Sequence, residues 1–591
     1  MPPRTEALCA ENISFLERAL ESCTIDCHPP TKTSFLPTRL LDLGTDPASQ
    51  PRLIITADSI DIAALNPTEP LRYAALSYCW GNREDASTQT KTEPWNLHER
   101  LRAIPTRDMS AVMQDTIAVC RALSVRYLWI DALCIIQDLV DPSDWQRESG
   151  RVGEVYQYAY FTICAVSTSS CHQSFLARSQ HTFDFSFQSS LYPPARGRYT
   201  LYYTGPCEGL PTYDSLSSDL RDSSWDKRGW VFQERELSAR KLMFGQHMVH
   251  FRCDQNQMSE NGEFEAAEWS IGTLRANQTR EQTYECFRSM ASVYASRQLS
   301  YESDRLPALA GLVKRMFELV GGGKYLAGLW MEDLHLGLLW TSDQNKQGIT
   351  EHLKSLHASS GSGPPSWSWV SQPAHGYSLP YCDDLWSDRH LRPEYTEIDG
   401  CATLKGAGLN PFGEVESGTI RVWSKVLPLP ADLVLLRRPD GFYFIRKASR
   451  RGAVVAYCYL DWVETSLNLP ERLSMLLLSS WCNRKNEEDE KNDGEESGED
   501  EDVAEKEDKG DVGQGRWLEG EMDSSNIGSE DGDFCVLCNN EAHNRHARGL
   551  ILYPAERTGE YYRVGVFVSR AGKAGGTQLF KDLKTQCISI I

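Results

Sequence analysis

Three blocks of this sequence, at 73–81, 127–138 and 224–234, place ionisable or hydroxyl side chains close to apolar runs. Side chains at the ends of buried elements are the first candidates for catalysis or ligand binding. The candidate catalytic residues are Glu234 and Asp131, with Glu148 as an alternative, and the candidate ligand-binding residues are Ser77, Trp80, Gly81, Arg228 and Trp230. A carboxylate beside a ribose can stabilise the oxocarbenium-like cation that forms when a glycosidic bond breaks. Indole rings can stack on a base, and a guanidinium can pair with pyrophosphate.

Each candidate also has a structural interpretation, which stays open at this point. Tryptophans are more often core residues than ligand platforms, and Asp131 suits the cap of a loop or helix. Glu234 suits a structural ion pair with Arg228, Arg235 or Arg240. Glu148 falls just after a predicted helix start, where an acidic group complements the helix dipole. A nucleophilic role for Cys134 is disfavoured, because buried thiols are usually inert.

The elements that must position these residues alternate between strand and helix. The apolar runs at 73–79, 125–133 and 160–166 predict buried strands. Between them, the spacing of apolar residues at 110–123 predicts a helix, and Ser143 with Gln146 fits a capping box that opens a second helix reaching Ala159. This order predicts a parallel sheet covered by helices, a three-layer α/β fold in which ligands bind beyond the carboxyl ends of the strands.

The rest of the chain divides by pattern. Runs at 39–43 and 52–56 predict an N-terminal hairpin after a first helix, and residues 283–320 are helical in pattern, with further packed helix expected at 325–340. Short apolar segments after residue 364 predict a mainly β module. Their predicted bounds are 419–426, 441–447, 453–459, 473–481, 534–538, 549–553 and 561–568.

The length of 591 residues predicts two or three domains, and the formal net charge is −21. That charge is concentrated, because residues 487–533 hold 21 acidic and only four basic residues. Such a run buries too little apolar surface to fold, so we expect a disordered acidic insertion. Nucleic-acid binding needs clustered Lys and Arg, and we expect no nucleic-acid partner.

The first twenty residues include acidic groups and lack a continuous apolar core, so they do not resemble a secretory signal. No apolar run approaches the length of a membrane helix, so we expect a cytoplasmic protein that does not contact a membrane, with its 18 cysteines reduced. The sequence contains two Cys/His groups that are candidate metal sites. They are Cys23, Cys27 and His28, and the string Cys535, Cys538, His543 and His546. Their spacing is poor for zinc modules, so core cysteines are favoured and no metal or required cofactor is expected.

The three blocks resemble the signature blocks of the fungal heterokaryon-incompatibility (HET) domain family in order and spacing. They run Tyr-Ala-Ala-Leu-Ser-Tyr-Cys-Trp-Gly at 73–81, Tyr-Leu-Trp-Ile-Asp-Ala-Leu-Cys-Ile-Ile-Gln-Asp at 127–138 and Ser-Trp-Asp-Lys-Arg-Gly-Trp-Val-Phe-Gln-Glu at 224–234. We therefore divide the chain into an N-terminal helix and strands at 1–69, a HET domain at 70–240, a helical region at 241–360 and a β-rich region at 361–591.

This resemblance implies a role in fungal non-self recognition and programmed cell death. The family is also remotely similar to TIR domains, which implies a TIR-like, flavodoxin-like fold and NAD as a substrate cleaved with the help of a glutamate. The alternative is a non-catalytic signalling domain that acts by self-assembly or by binding a partner protein. No nucleotide-binding G-x4-G-K-[ST] motif and no repeat array is present in the sequence, so the trigger is not identified.

Overall fold

The computed structural model contains two large sheets. It describes residues 6–28, 35–63, 71–138, 140–178, 182–202, 215–221, 223–266, 278–342, 347–359, 363–372, 392–405, 410–430, 433–437, 443–447, 453–463, 472–481, 544–572 and 575–591. The predicted acidic insertion, the strand at 534–538 and the candidate ligands Cys535, Cys538 and His543 lie outside these residues. No helix in the described ranges is both long and apolar enough to cross a bilayer.

The N-terminal sheet begins with a hairpin and is built around four parallel strands. Its strands are β1 Arg39–Asp42, β2 Arg52–Ile55, β3 Tyr73–Ser77, β4 Tyr127–Trp129, β5 Phe161–Cys164, β8 Arg240–Phe244, β9 Val249–Cys253, β10 Asn256–Ser259 and β11 Phe264–Ala266. A separate hairpin of β6 Thr182–Gln188 and β7 Arg196–Tyr202 lies between β5 and β8 in the chain. The helices of this part are α1 Ala10–Ser22, α2 Ile60–Ala63, α3 Arg83–Thr88, α4 Leu97–Arg100, α5 Ala111–Ala122, α6 Asp131–Cys134, α7 Ser143–Ser149, α8 Val152–Tyr158, α9 Ser215–Arg221 and α10 Gly229–Leu237.

The order of strands across this sheet is β11-β10-β9-β8-β5-β3-β4-β1-β2. The pairs β3–β4, β3–β5 and β5–β8 are parallel, whereas β1–β2 and β8 to β11 pair antiparallel at the two edges. The prediction of an α/β domain with parallel strands is confirmed, but the sheet is mixed. The edge formed by β1 and β2 agrees with the predicted N-terminal hairpin, whereas the β8–β11 edge was not predicted, because antiparallel neighbours joined by short turns leave no strand–helix–strand pattern.

Every residue of β3 and β5 is buried. Strands covered on both faces lose the alternation of apolar and polar residues and appear as continuous apolar runs. Helix α5 buries Val112, Met113 and Ile117 in the same core. The predicted helix at 110–123 is therefore confirmed to within a residue at each end.

The helix after Asp141 differs from its prediction. It is two helices, α7 and α8, which are separated at Gly150. The predicted capping box is wrong: Pro142 occupies the N-cap without a side-chain cap bond, and Asp141 instead accepts the Ser143 N–H at 3.0 Å. Gly153 in α8 packs against Gly311, where a Cβ atom would lie 2.7 Å from the Gly311 Cα, so the two helical segments meet closely at glycines.

The helical region contains α11 Arg280–Ala295, α12 Ala310–Leu319, α13 Leu334–Gly337 and α14 Ile349–Ser359. Thr279 and Gln282 form the capping box of α11. The expectation of packed helix at 325–340 is partly wrong, because Tyr325–Leu326 (β12) and Leu329–Trp330 (β13) pair as a short hairpin. Gly328, with φ of +94°, makes this tight connection possible.

Within the described residues the C-terminal sheet contains ten strands, in line with the predicted β-rich region. They are β14 Arg392–Pro393, β15 Glu397–Leu404, β16 Val415–Pro428, β17 Leu433–Arg437, β18 Tyr443–Lys447, β19 Val454–Leu460, β20 Ser474–Trp481, β21 His546–Pro554, β22 Glu560–Ser569 and β23 Thr585–Ile590. Arg563 on β22 is fully buried and donates to Asp461 and to the Trp340 carbonyl while its guanidinium lies over the Trp340 ring. This cation therefore links the sheet to the helical region.

Candidate functional site

The site is built at the carboxyl ends of β3 and β4. Ser77 is the last residue of β3, and its hydroxyl donates to Glu234. Glu234 lies within helix α10, whose buried face includes Val231, Phe232 and Leu237. The helix crosses the strand end and so brings the Glu234 carboxylate to the predicted edge of the sheet.

A second contact joins the first two sequence blocks. The indole Nε1 of Trp80 donates to the Asp131 carboxylate at 2.8 Å. Asp131 is the first residue of α6, directly after β4, and its other oxygen accepts the Ala132 N–H at 2.7 Å. Asp131 thus holds its short helix and the Trp80 ring at the same time.

The two carboxylates are electrostatically connected. Burial raises the pKa of Glu234 to about 7, the hydrogen bond from Ser77 and the nearby Tyr156 hydroxyl oppose this shift, and the negative charge of Asp131 adds to it. Burial also raises the pKa of Asp131, against hydrogen bonds from Trp80 and Ala132 and the effect of the nearby Tyr78 hydroxyl. Both side chains keep partial contact with solvent. A glutamate that titrates near neutral pH is suited to acid–base or electrostatic work, and such shifts are enriched at functional sites.

Positive charge faces these carboxylates. Arg228 lies at the N-cap of α10, and its charge lowers the pKa of both Glu234 and Asp131. Among the described residues, its buried Nε atom has no hydrogen-bond partner. Lys91 lies with its Nζ 5.9 Å from the centroid of the Trp80 ring. The site therefore combines two cations, two carboxylates and an indole.

The structural ion pairs considered for Glu234 with Arg235 and Arg240 are not formed among the described residues. Arg235 pairs with Asp226 at 2.5 Å and with Glu236 at 2.9 Å. Arg240 donates to the backbone carbonyls of Tyr160 and His28.

Gly81 has a structural role in the turn that follows Trp80. Its φ is +93°, and a Cβ atom there would lie 2.3 Å from Asp85 Oδ2. Asp85 and Asn82 form the capping box of α3. The glycine therefore permits both the backbone conformation and the close approach of the cap.

Two candidates are not part of this group of contacts. Glu148 lies in α7 and accepts a hydrogen bond from Thr38 at 2.8 Å. Trp230 donates to Asp304 at 3.2 Å, and its ring lies edge-on to Trp145 with centroids 6.4 Å apart. Trp230 therefore faces the helical region, which agrees with its core interpretation.

Four residues of the site were missed as candidates. Trp225 donates to the Ser77 hydroxyl at 2.8 Å, and Tyr78 donates to Gln89 at 2.9 Å and lies near enough to Asp131 to lower the pKa of that carboxyl. Tyr156 donates its hydroxyl hydrogen to the Leu76 carbonyl at 2.8 Å and lies near enough to Glu234 to lower the pKa of that carboxyl, and Lys91 flanks Trp80. Trp225 and Tyr78 lie within the sequence blocks and were noticeable there, whereas nothing in the local sequence marks Tyr156 or Lys91.

Other reactive side chains are not among these contacts in the described residues. Burial raises the pKa of the Cys134 thiol to about 12, which opposes a nucleophilic role. His546, from the C-terminal Cys/His string, stacks on Trp481 with ring centroids 5.0 Å apart. A pocket of about 540 Å³ lies between α1 and the β10–β11 hairpin, and the site residues described above do not line it.

Comparison with known families identifies the domain that contains this site. Residues 73–234 match the model of the family described as Heterokaryon incompatibility protein (HET). The match begins at the first residue of β3 and ends at Glu234, and it confirms the prediction of a HET domain. No curated protein and no solved structure matches the chain.

Proposed function

We propose that this chain is an effector of heterokaryon incompatibility, acting in non-self recognition and programmed cell death, and that its HET domain cleaves NAD or a related nucleotide. The observation that carries the enzymatic form is the convergence of Glu234, Asp131 and Trp80 at one edge of the sheet. A TIR-like fold is part of the proposal. The parallel strands lie in the order β4-β3-β5-β8, so that the second strand precedes the first as in flavodoxin-like sheets.

The proposed reaction breaks the bond between the nicotinamide nitrogen and C1′ of the ribose. Water adds to C1′, so the products are ADP-ribose and nicotinamide, and a proton is released. Glu234 in its ionised form stabilises the ribosyl cation, and its pKa of about 7 leaves a substantial ionised fraction at neutral pH. Ser77 fixes the carboxylate, and Arg228 and Lys91 supply charge for the pyrophosphate. No cofactor is required.

The test is NAD content after induced expression of wild type and of Glu234→Gln. The proposal expects NAD to fall with the wild type and to remain at the uninduced level with the variant. Glu148→Gln is the matched control, since its amide oxygen can still accept from Thr38, and it should consume NAD like the wild type. Thermal unfolding of each purified protein separates loss of activity from loss of fold.

The second candidate is a non-catalytic signalling domain that works by self-assembly or by partner binding. The β6–β7 hairpin favours it, because Phe183, Leu191 and Tyr192 are 58%, 96% and 66% exposed. Large exposed apolar side chains grouped on one element are typical of interaction surfaces. This function predicts that the wild type causes cell death while the NAD content stays unchanged. It also predicts that Glu234→Gln still causes cell death and that Phe183→Ser does not. These results together would establish this function and exclude the enzymatic one.

A further inference from the structure

A cluster of sulfur and nitrogen atoms lies at one end of β9. The candidate site around Glu234 lies toward the other end of this strand. The ligand atoms of Cys23, His28 and Cys253 all lie within 4.8 Å of one another. Cys23 is 2% exposed and Cys253 is 1% exposed. The first two residues come from the π-helical turn after α1 and the residue that follows it, and the third ends β9. Folding therefore brings together residues more than two hundred positions apart.

Cys27 supplies a fourth possible ligand. Its thiol interacts with those of Cys23 and Cys253, and its Sγ accepts a hydrogen bond from Asn256 Nδ2 at 3.2 Å. The backbone N–H of the same Asn256 donates to Cys253 Sγ at 3.3 Å. N–H groups directed at sulfur favour the thiolate, the form that binds metals, and orient it as outer hydrogen bonds do around metal ligands.

His28 is arranged as a ligand. Its Nε2 atom is buried and, in the part of the chain that the structure describes, has no hydrogen-bond partner. The nearest carboxylate oxygen, Asp254 Oδ2, is 3.9 Å away, which is beyond hydrogen-bond distance. A buried nitrogen without a partner is costly, and coordination of a cation by its lone pair would satisfy it.

Cysteine thiolates and a histidine imidazole are a ligand set that favours zinc. Zinc binds Cys sulfur at about 2.3 Å and His nitrogen at about 2.0–2.1 Å in tetrahedral sites, which separates the ligand atoms by roughly 3.5–3.8 Å. The ligand atoms of Cys23, His28 and Cys253 would need to approach one another by up to about 1 Å, and Cys27, which is outside that group, would need to move further. Thiolate and imidazole ligands disfavour Mg²⁺ and Ca²⁺, which prefer oxygen.

We propose that this group is a structural zinc site with three cysteine ligands and one histidine ligand, formed by Cys23, Cys27, His28 and Cys253. It fastens the N-terminal helix to the antiparallel edge of the sheet. Arg240 already contacts the His28 carbonyl, and Asn12 in α1 donates to Glu260 at 3.0 Å, so the metal strengthens an existing junction. This inference does not depend on the proposed NAD cleavage.

The test is the metal content of the full-length protein, purified under reducing conditions after expression with added zinc. Elemental analysis should find one zinc per chain in the wild type and almost none in Cys253→Ser. Cys120→Ser is the matched control, because Cys120 is fully buried in the same core but is not part of the ligand group, and it should keep its zinc. Removal of zinc with a chelator should lower the melting temperature of the wild type and of Cys120→Ser alike.

Cobalt keeps the proposal testable if Cys253→Ser does not fold. Co²⁺ added to the chelated wild type should give the thiolate charge-transfer band and the visible bands of a tetrahedral site, which added Zn²⁺ should abolish. Folded, reduced wild type without zinc and without these bands would overturn the proposal. So would full zinc content in Cys253→Ser, or a Cys23–Cys253 disulfide found by mass spectrometry in protein purified without reductant from the same cells.

Discussion

Ser77 donates its hydroxyl hydrogen to Glu234 and accepts the Trp225 indole N–H at 2.8 Å, so one buried serine links a strand end to two parts of the third sequence block. Glu234 is 157 positions away in the chain. The serine satisfies two buried polar groups and also lowers the pKa of Glu234, against the effect of burial. Strand β3 and helix α10 are therefore connected through the group that carries the proposed chemistry.

Replacement of Ser77 tests this connection. Ser77→Ala leaves the Trp225 N–H and the Glu234 carboxylate without their shared partner, and we expect a loss of about 1–3 kcal/mol in the free energy of unfolding. Because the serine hydrogen bond lowers the pKa of Glu234, its removal should also move the midpoint of any Glu234-dependent pH profile upward. Urea unfolding and a pH profile measure the two effects.

Ser110→Ala is the control for the loss of a buried serine hydroxyl. Ser110 is 5% exposed, and its Oγ has no hydrogen-bond partner among the described residues. It occupies the N-cap of α5 without a side-chain cap bond. Its replacement should leave stability unchanged or raise it slightly. Equal losses in the two variants would contradict the special role of Ser77.

The sequence predicts the parallel centre of the N-terminal sheet well, because strands buried on both faces form continuous apolar runs such as Tyr73–Ser77. It does not predict the helix that carries Glu234, since only nine residues form α10 and its aromatic residues also suit a strand. The hairpin at Tyr325–Trp330 was missed for a similar reason: two-residue strands are too short to show alternation.

The site was predictable only where its residues share a sequence block. Trp80 and Asp131 could be named because each lies at or near the end of an apolar run, and their hydrogen bond joins the ends of β3 and β4. Tyr156 reaches Glu234 from α8, and Cys253 reaches Cys23 from β9. Such contacts depend on how distant elements pack, and a single sequence contains no local signal for them.

The raised pKa of Glu234 predicts that the contribution of this residue to the free energy of unfolding falls as pH rises. The folded state keeps the proton up to about 7, whereas the unfolded chain loses it near the ordinary value of 4.5, so the folded state binds more protons between these values. Stability therefore decreases through this window and is flat above it. Glu234→Gln removes this penalty, and we expect it to be more stable than the wild type by roughly 1–2 kcal/mol at about pH 8 and no more stable at about pH 4.

Glu236→Gln, in the same helix, should change the stability of the protein in the opposite direction at about pH 8. Burial raises the pKa of Glu236, but Arg235 and Lys241 outweigh it and lower the pKa overall. Its charge thus contributes stability at neutral pH that is lost as the pH falls through the folded pKa. Glu236→Gln should be less stable than the wild type at about pH 8, and the difference should shrink in acid. Thermal unfolding of both variants across this range measures the two differences in stability. The same sign for both at about pH 8 would refute the raised pKa of Glu234.

Replacement of Gly81 should lower the free energy of unfolding through both backbone strain and steric contact, and a matched glycine separates the two effects. Gly81→Ala forces a Cβ onto a residue with φ of +93° and to 2.3 Å from Asp85 Oδ2, so the capping box of α3 must move. We expect a loss of about 2–4 kcal/mol, part from the left-handed backbone and part from the disrupted cap. Gly262→Ala is the matched variant, because Gly262 has nearly the same φ, +95°, and open space around it. It carries the backbone cost alone, about 1–2 kcal/mol. The difference in unfolding free energy between the two variants measures how strongly the turn after Trp80 depends on the Asp85 cap, and equal losses would show that the cap adjusts freely.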